Sequence, residues 1–268
     1  MIQPDSKEAL VCLVRRLSKE HVPWRVIGRG SNIVVADRGV DGVVIVLGRA
    51  FAAIKDLPGP DGHWLSVEAG CSLARLLHWC CDHGVGGLEF ASGIPGTIGG
   101  AIMMNAGAWG GEIAQVLRAV ELLDEQGQVE ERQLKTDDFC YRGWQRPHGK
   151  VVVSGLFRLH DDETSVIAER CHRYARQRAV KQPKAVASAG SFFKNPPGTA
   201  AGQLIEEAGL KGLRVGNATV SHVHANFLVN CGGASAQDLW ELMVLVQRQV
   251  EDRCGVTLHP EVNFIGRW

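Results

Sequence analysis

Apolar positions along the chain change their period several times, and each change predicts an element. Leu10, Leu13, Val14 and Leu17 recur at helical spacing behind Asp5 and Glu8, a capping-box pair, so a helix is expected to open the chain. The rhythm then shortens. Trp24–Ile27, Ile33–Ala36 and Val43–Leu47 are β-branched runs separated by Gly28–Asn32 and Asp37–Gly39, which predicts strand, glycine turn, strand, strand. Strands are predicted again at Ala52–Lys55 and Trp64–Glu68, and a helix from Ser72 to His83 turns Leu73, Leu76, Leu77 and Cys80 inward. Val116–Leu123 and Val129–Leu134 flank Asp124–Gly127 as a hairpin, and Val151–Leu159 reads as a long apolar strand. After a polar break at Asp161–Thr164 come a charged helix from Val166 to Arg178, further helices at Ala200–Ala208 and Ser235–Cys254, and a last strand introduced by Pro260-Glu261-Val262. Strands do not alternate regularly with helices, so the predicted class is α+β, with a first domain over 1–162 and a second over 163–268.

One stretch obeys neither period. Gly87–Glu112 holds eight glycines and a proline, which weaken any regular element. Yet Ile94, Ile98, Ala101, Ile102 and Met104 make it too apolar for a free surface loop. The mixture points to a buried cradle in which backbone around Gly93, Gly96, Gly99 and Gly100 approaches an anion, with Thr97 capping a short helix that faces it. The turn Gly28-Arg29-Gly30-Ser31-Asn32 offers similar chemistry. It is not a dinucleotide fingerprint, because Ile33 replaces the third glycine and a strand follows where a helix is required.

Composition narrows the classes. The chain has 268 residues with 29 Lys plus Arg against 29 Asp plus Glu, so no global field draws it to nucleic acid or an anionic membrane, and any anion must be held locally. No apolar run approaches the roughly twenty residues that span a bilayer, and the first ten residues are too polar for a signal peptide; a cytoplasmic protein is expected. The eight cysteines are scattered without a C-x-x-C pair and read mostly as small buried hydrophobes. His222 and His224, placed on one strand face near Cys231, lack a third spaced ligand, so no metal is expected. The arginines of the charged helix, Arg170, Arg173, Arg176 and Arg178, read as a solvated face.

A second dense stretch, Ser188–Gly198, brings Ser191, Lys194 and Asn195 close together around two phenylalanines, so that a hydroxyl, a cation and an amide converge on a small space. A turn entering the next helix explains it as well, and no nucleophile elbow accompanies the serine.

Seven ordered segments, IGRGSNIVVADRGVDGVVI, GLEFASGIPGTIGGAIMMNAGAWGGEI, CYRG, SAGSFFKNP, AGQLIEEAGLKG, HANFLVN and LHPEV, resemble those of the UDP-N-acetylenolpyruvoylglucosamine reductase family. The resemblance implies an FAD-binding domain of the p-cresol methylhydroxylase (vanillyl-alcohol oxidase) type followed by an α+β substrate domain. It implies a reaction in which NADPH reduces FAD and the enolpyruvyl ether of a UDP-sugar is reduced to UDP-N-acetylmuramate for peptidoglycan synthesis. It further implies Ser191 as proton donor with Arg142 and Glu261 assisting; Gly28, Gly30, Ser31, Asn32, Ser92, Gly93, Gly96, Thr97, Gly99, Gly100, Asn105, Ala106 and Gly107 around the flavin cofactor; and Lys194, Asn195, His224 and Asn226 on the substrate. A monomer is expected. Only MIQPD precedes the first helix where members carry a strand, and the short span from Ser191 to Glu261 matches the form without an extra substrate-covering loop.

Overall fold

A computed structural model describes residues 1–59, 61–145 and 149–268. The chain divides into two compact units, one made of Met1–Arg29 with Gly42–Arg176, the other of Gly30–Asp41 with Gln177–Trp268. The sequence predicted one cut near residue 162. The division falls instead inside the helix Thr164–Lys181, and a twelve-residue excursion, 30–41, leaves the first unit for the second. The cause of that excursion is pairing: Ile33–Val35 lies parallel to Asn263–Ile265 at the far end of the chain.

The first unit is built on an antiparallel sheet in the order Val129–Gln133, Leu117–Leu123, Val151–Asp161, His63–Glu68, Ile54–Leu57. The central strand, Val151–Asp161, is at 11 residues the longest strand among the described residues; it buries alternate side chains and pairs with both neighbours, which is why valine, leucine and phenylalanine recur along it. Trp24–Ile27 and Val43–Val46 form a separate parallel pair, extended by a bridge from Ile2 to Ile45. The opening helix, Lys7–Lys19, buries Leu10, Val14 and Leu17; its cap is Ser6, whose hydroxyl accepts from Ala9 N–H, and not the predicted Asp5. Leu73–His83 follows the predicted face, capped by Ser72 and closed by Gly84 in the left-handed region.

The second unit has an antiparallel sheet in the order Ala187–Ser188, Leu228–Asn230, Ala218–Val220, Arg214–Val215, covered by Ala201–Glu207 and the long helix Ala236–Cys254. Phe192, Phe193, Ile205, Leu242 and Val246 are its buried centre. The excursion does more than pair. The Asp37 carboxylate accepts from the N–H groups of Ala236 and Gln237 at 2.8 and 3.1 Å, satisfying two of the donors that open the long helix.

All eight cysteines are free thiols. Cys71 and Cys80 are buried as expected, whereas Cys12, Cys140 and Cys231 are exposed. Burial pushes the Cys80 thiol up to about 12, which makes it inert. Among the described residues no helix is long and apolar enough to cross a membrane.

Candidate functional site

In the first unit the glycine-rich segment folds as a close-packed shell. Gly93 and Gly96 take φ of +75° and +136°, which a side chain at either position would resist. A methyl group at Gly28 would lie 2.6 Å from Thr97 Oγ1, so the turn before residue 30 touches the cradle through the absence of a side chain. The short helix forms over Ile98–Met103 with Thr97 at its cap position, but the Thr97 hydroxyl caps nothing. Nor do the first helical N–H groups point outward as the sequence suggested: Ile98 N–H donates to Cys71 and Gly99 N–H to Ala69, at 2.8 and 2.9 Å. Gly99 is required for packing, since a Cβ there would meet that of Ala69 at 2.9 Å.

One group in the shell is conspicuously unsatisfied. Ser92 is 4% exposed and its hydroxyl has no hydrogen-bond partner. Buried hydroxyls without partners are costly and uncommon, so an orphan beside Gly93 and Gly96 fits a polar ligand laid against the backbone. Together with the close approach at Gly28, this is the fit expected of a flavin site. Asn105, Ala106 and Gly107 lie further along the segment, and their polar groups are engaged within the protein. Asn105 bridges Ala114 N–H and the Cys140 carbonyl, and the Gly107 carbonyl accepts from Arg142 Nη2 at 2.8 Å. Arg142 sits on the turn between Phe139–Cys140 and Gly143–Trp144 with φ +55°. At the segment's start the buried Glu89 carboxylate accepts from Gly87 N–H and pairs with Arg170, which also binds Asp162. That arginine is a structural tie as well as a member of the helix face on which Arg173 and Arg176 are exposed.

In the second unit Gly30-Ser31-Asn32 forms the turn into the strand Ile33–Val35, where the Asn32 amide donates to the Glu261 carbonyl at 3.1 Å and Asn263 N–H donates to Asn32. Ser191 stands on the rim of a cleft of about 410 Å³ lined also by Asn195, Gln203, Glu206, Glu207 and His224. Its backbone is fixed on two sides. Phe192 and Lys194 pair with Glu261 and His259 through Glu261 N–H to Phe192 and Lys194 N–H to His259, and Phe193 bridges Pro260. On the other side Asn226, 3% exposed, clamps Phe193 with both halves of its amide, at 2.9 and 2.8 Å, while Phe192 N–H donates to the Asn226 carbonyl. Asn226, expected on a substrate, thus lines the same cleft while its amide holds the serine's neighbours. Asn195 likewise accepts from Ala201 N–H at 3.0 Å, opening the helix that walls the cleft.

His224 does face the cleft, though from the turn between Ala218–Val220 and Leu228–Asn230, where His222 also lies, and not from a strand face. Its Nδ1 accepts from Asn226 N–H at 3.2 Å, which fixes the proton on Nε2. Burial first, and then the Lys211 ammonium, lower its pKa and hold the ring neutral. Among the described residues no group of three His, Cys, Asp or Glu is placed to hold a metal ion. Gln203, Glu206 and Glu207 were not singled out from sequence; their i, i+3, i+4 spacing on one short helix is the signal that places them on one wall.

Comparison with known proteins finds a family model for each end of the chain. Residues 182–265 match a family model described as the C-terminal domain of UDP-N-acetylenolpyruvoylglucosamine reductase, and residues 1–132 match one described as an FAD binding domain. The chain is 38% identical to the UDP-N-acetylenolpyruvoylglucosamine reductase of Caldicellulosiruptor saccharolyticus, over 100% of this chain and 86% of that protein. It is 41% identical to the protein of the same name from Heliobacterium modesticaldum, over 98% and 83%. The crystal structure of UDP-N-acetylenolpyruvylglucosamine reductase (MurB) from Thermus caldophilus superposes with a TM-score of 0.83 at 39% identity, covering 98% of this chain and 91% of that one.

Proposed function

The chain belongs to the UDP-N-acetylenolpyruvoylglucosamine reductase family and is an FAD-dependent oxidoreductase of peptidoglycan precursor synthesis; from that premise we propose which of its residues bind, polarise and protonate. Bound FAD, reduced by NADPH, supplies hydride to the enolpyruvyl group of the UDP-sugar. The shell formed by Gly28, Ser92, Gly93, Gly96 and Thr97 holds the flavin cofactor, with Ser92 Oγ as the polar contact.

Hydride arriving at the methylene carbon leaves negative charge on the neighbouring carbon, spread into its carboxylate as an enolate. Two tasks follow for the protein. Arg142 offsets that charge, and the Ser191 hydroxyl delivers the proton to the carbon. A serine hydroxyl is a weak acid in isolation, so its transfer depends on help from neighbours, for which Glu261 is the assigned group. The observation that carries this reading is the double fixing of the segment after Ser191, by Asn226 on one side and by residues 259–261 on the other. It keeps the hydroxyl on the cleft rim and the Glu261 backbone beside Phe192. Lys194, Asn195 and His224 complete the substrate side, with the neutral His224 offering its Nε2–H as a donor. The protein acts in the cytoplasm as a monomer.

Purification followed by a visible spectrum tests the reading. The expected result is bound FAD whose absorbance bleaches with NADPH and returns on adding the UDP-enolpyruvyl sugar without oxygen. A colourless protein that binds only the UDP-sugar, or flavin that reoxidises only with oxygen, contradicts it.

A further inference from the structure

The segment Asn105–Gly107, assigned to the flavin by resemblance, has its polar groups turned to a different task. Asn105 is fully buried and holds φ +42°, a left-handed conformation that asparagine tolerates better than most residues. Its Oδ1 accepts from Ala114 N–H at 3.0 Å and its Nδ2 donates to the Cys140 carbonyl at 3.2 Å. Cys140 stands two residues before Arg142 in the small hairpin Phe139–Cys140/Gly143–Trp144.

Arg142 occupies the tip of that hairpin with φ +55°. A residue bearing a Cβ keeps such a conformation only where its surroundings over-determine it. The head of the side chain is caught as well, because Gly107, two residues after Asn105, accepts from Arg142 Nη2 at 2.8 Å. Gly107 is itself locked. It pairs with Glu112, and a Cβ there would come 2.5 Å from the Gly111 carbonyl. One three-residue segment therefore holds the arginine twice, through the backbone before it and through its guanidinium.

We propose that Asn105 is a positioning residue for Arg142, setting the turn from which the cation acts, and that it is not a flavin contact. The inference rests on the reading of Arg142 as the charge-stabilising group, and deepens it. A guanidinium oriented before substrate arrives loses little freedom on binding, and displacement of a charged group by about 1 Å costs on the order of 100-fold in rate.

The test uses the FAD-loaded chain and two readouts, flavin stoichiometry and the rate of reoxidation by the UDP-enolpyruvyl sugar under anaerobic conditions. Asn105→Gly keeps the left-handed backbone and removes both hydrogen bonds. The expected result is full FAD content, reoxidation slowed by about 10- to 100-fold, and no further slowing when the change is added to Arg142→Ala, the non-additivity of residues acting through one another. If Asn105→Gly does not fold, Asn105→Asp retains the acceptor toward Ala114, removes the donor toward Cys140, and carries the same test. Loss of FAD with normal reoxidation of the flavin that remains, or slowing that adds in full to that of Arg142→Ala, overturns the proposal. Normal reoxidation in Arg142→Ala alone instead overturns the role of the arginine, so the two failures are told apart.

Discussion

The cradle in the first unit and the cleft in the second achieve binding surfaces by opposite means. Around Gly28, Gly93, Gly96 and Gly99 the surface is made by what is missing: left-handed backbone and contacts too close for a Cβ leave one orphan hydroxyl, Ser92, as the polar feature. Around Ser191 side chains do the work, and several of those that look ligand-directed are holding backbone. The Asn226 amide is consumed by Phe193 and the Asn195 amide oxygen receives Ala201 N–H. A backbone-built site is therefore sensitive to added atoms, whereas a side-chain-built site is sensitive to lost supports one step removed from the ligand.

The largest effect is expected at Asn226. Asn226→Ala leaves the Phe193 N–H and carbonyl without their partner in a buried setting and is expected to cost about 1–3 kcal/mol, read in urea unfolding of the FAD-free chain. Impaired use of the UDP-sugar should follow. Weakened substrate binding with wild-type stability would mean that this amide contacts substrate after all. A milder effect of opposite character is expected in the cradle. Ser92→Ala removes an unsatisfied buried hydroxyl, so the FAD-free chain should lose no stability, yet FAD affinity should fall by about tenfold, the worth of roughly one hydrogen bond. Equal FAD affinity in titrations would remove Ser92 from the cofactor site.

The smallest effects concern two histidines, one in each unit, with opposite signs. In the second unit burial lowers the His224 pKa below its ordinary 6.5. The unfolded chain then binds a proton that the folded chain refuses, so stability falls as pH drops from about 6.5 toward the lowered folded value. In the first unit slight burial pushes His63 down, but hydrogen bonds and charge from Asp161 and Asp56 outweigh it and raise its pKa. Its contribution is fully present below about 6.5 and is lost as pH rises through the raised folded value. The His63 side chain is partly exposed and its partner Asp161 is open to solvent, so screening keeps that contribution small. Chemical denaturation of His224→Gln and His63→Gln across this range should show the first flattening the acid-side loss and the second flattening the alkaline-side one. Slopes of the same sign in both variants would contradict the assignment.

Much of this was legible in the chain. Hydrophobic periods located Lys7–Lys19, Leu73–His83, Ala236–Cys254 and the central strand, because each buries one face against the core of its unit, as Leu73, Leu76, Leu77 and Cys80 do; the helix Thr164–Lys181, which buries only Ile167, was legible from its charges instead. The excursion of residues 30–41 was not legible: Ile33–Val35 reads as a strand, but its partner lies some 230 residues away and no local pattern records a long-range pairing. The cap at Ser6 and the engagement of the Ile98 and Gly99 N–H groups were missed for a related reason, since neighbouring residues compete for the same donors and only geometry decides. At the site, residue types were readable and their employment was not. Asn105, Asn195 and Asn226 carry identical chemistry whether they grip a ligand or a main chain.

In the proposed reaction the hydroxyl of Ser191 supplies the proton that completes reduction of the enolpyruvyl group. Anaerobic stopped-flow measurement of Ser191→Ala tests it most directly, following flavin bleaching by NADPH and then its return on mixing with the UDP-enolpyruvyl sugar. Bleaching should be kept and the return should slow by about 10²–10⁴, the contribution of a general acid. Return at the rate of the unaltered protein would contradict it.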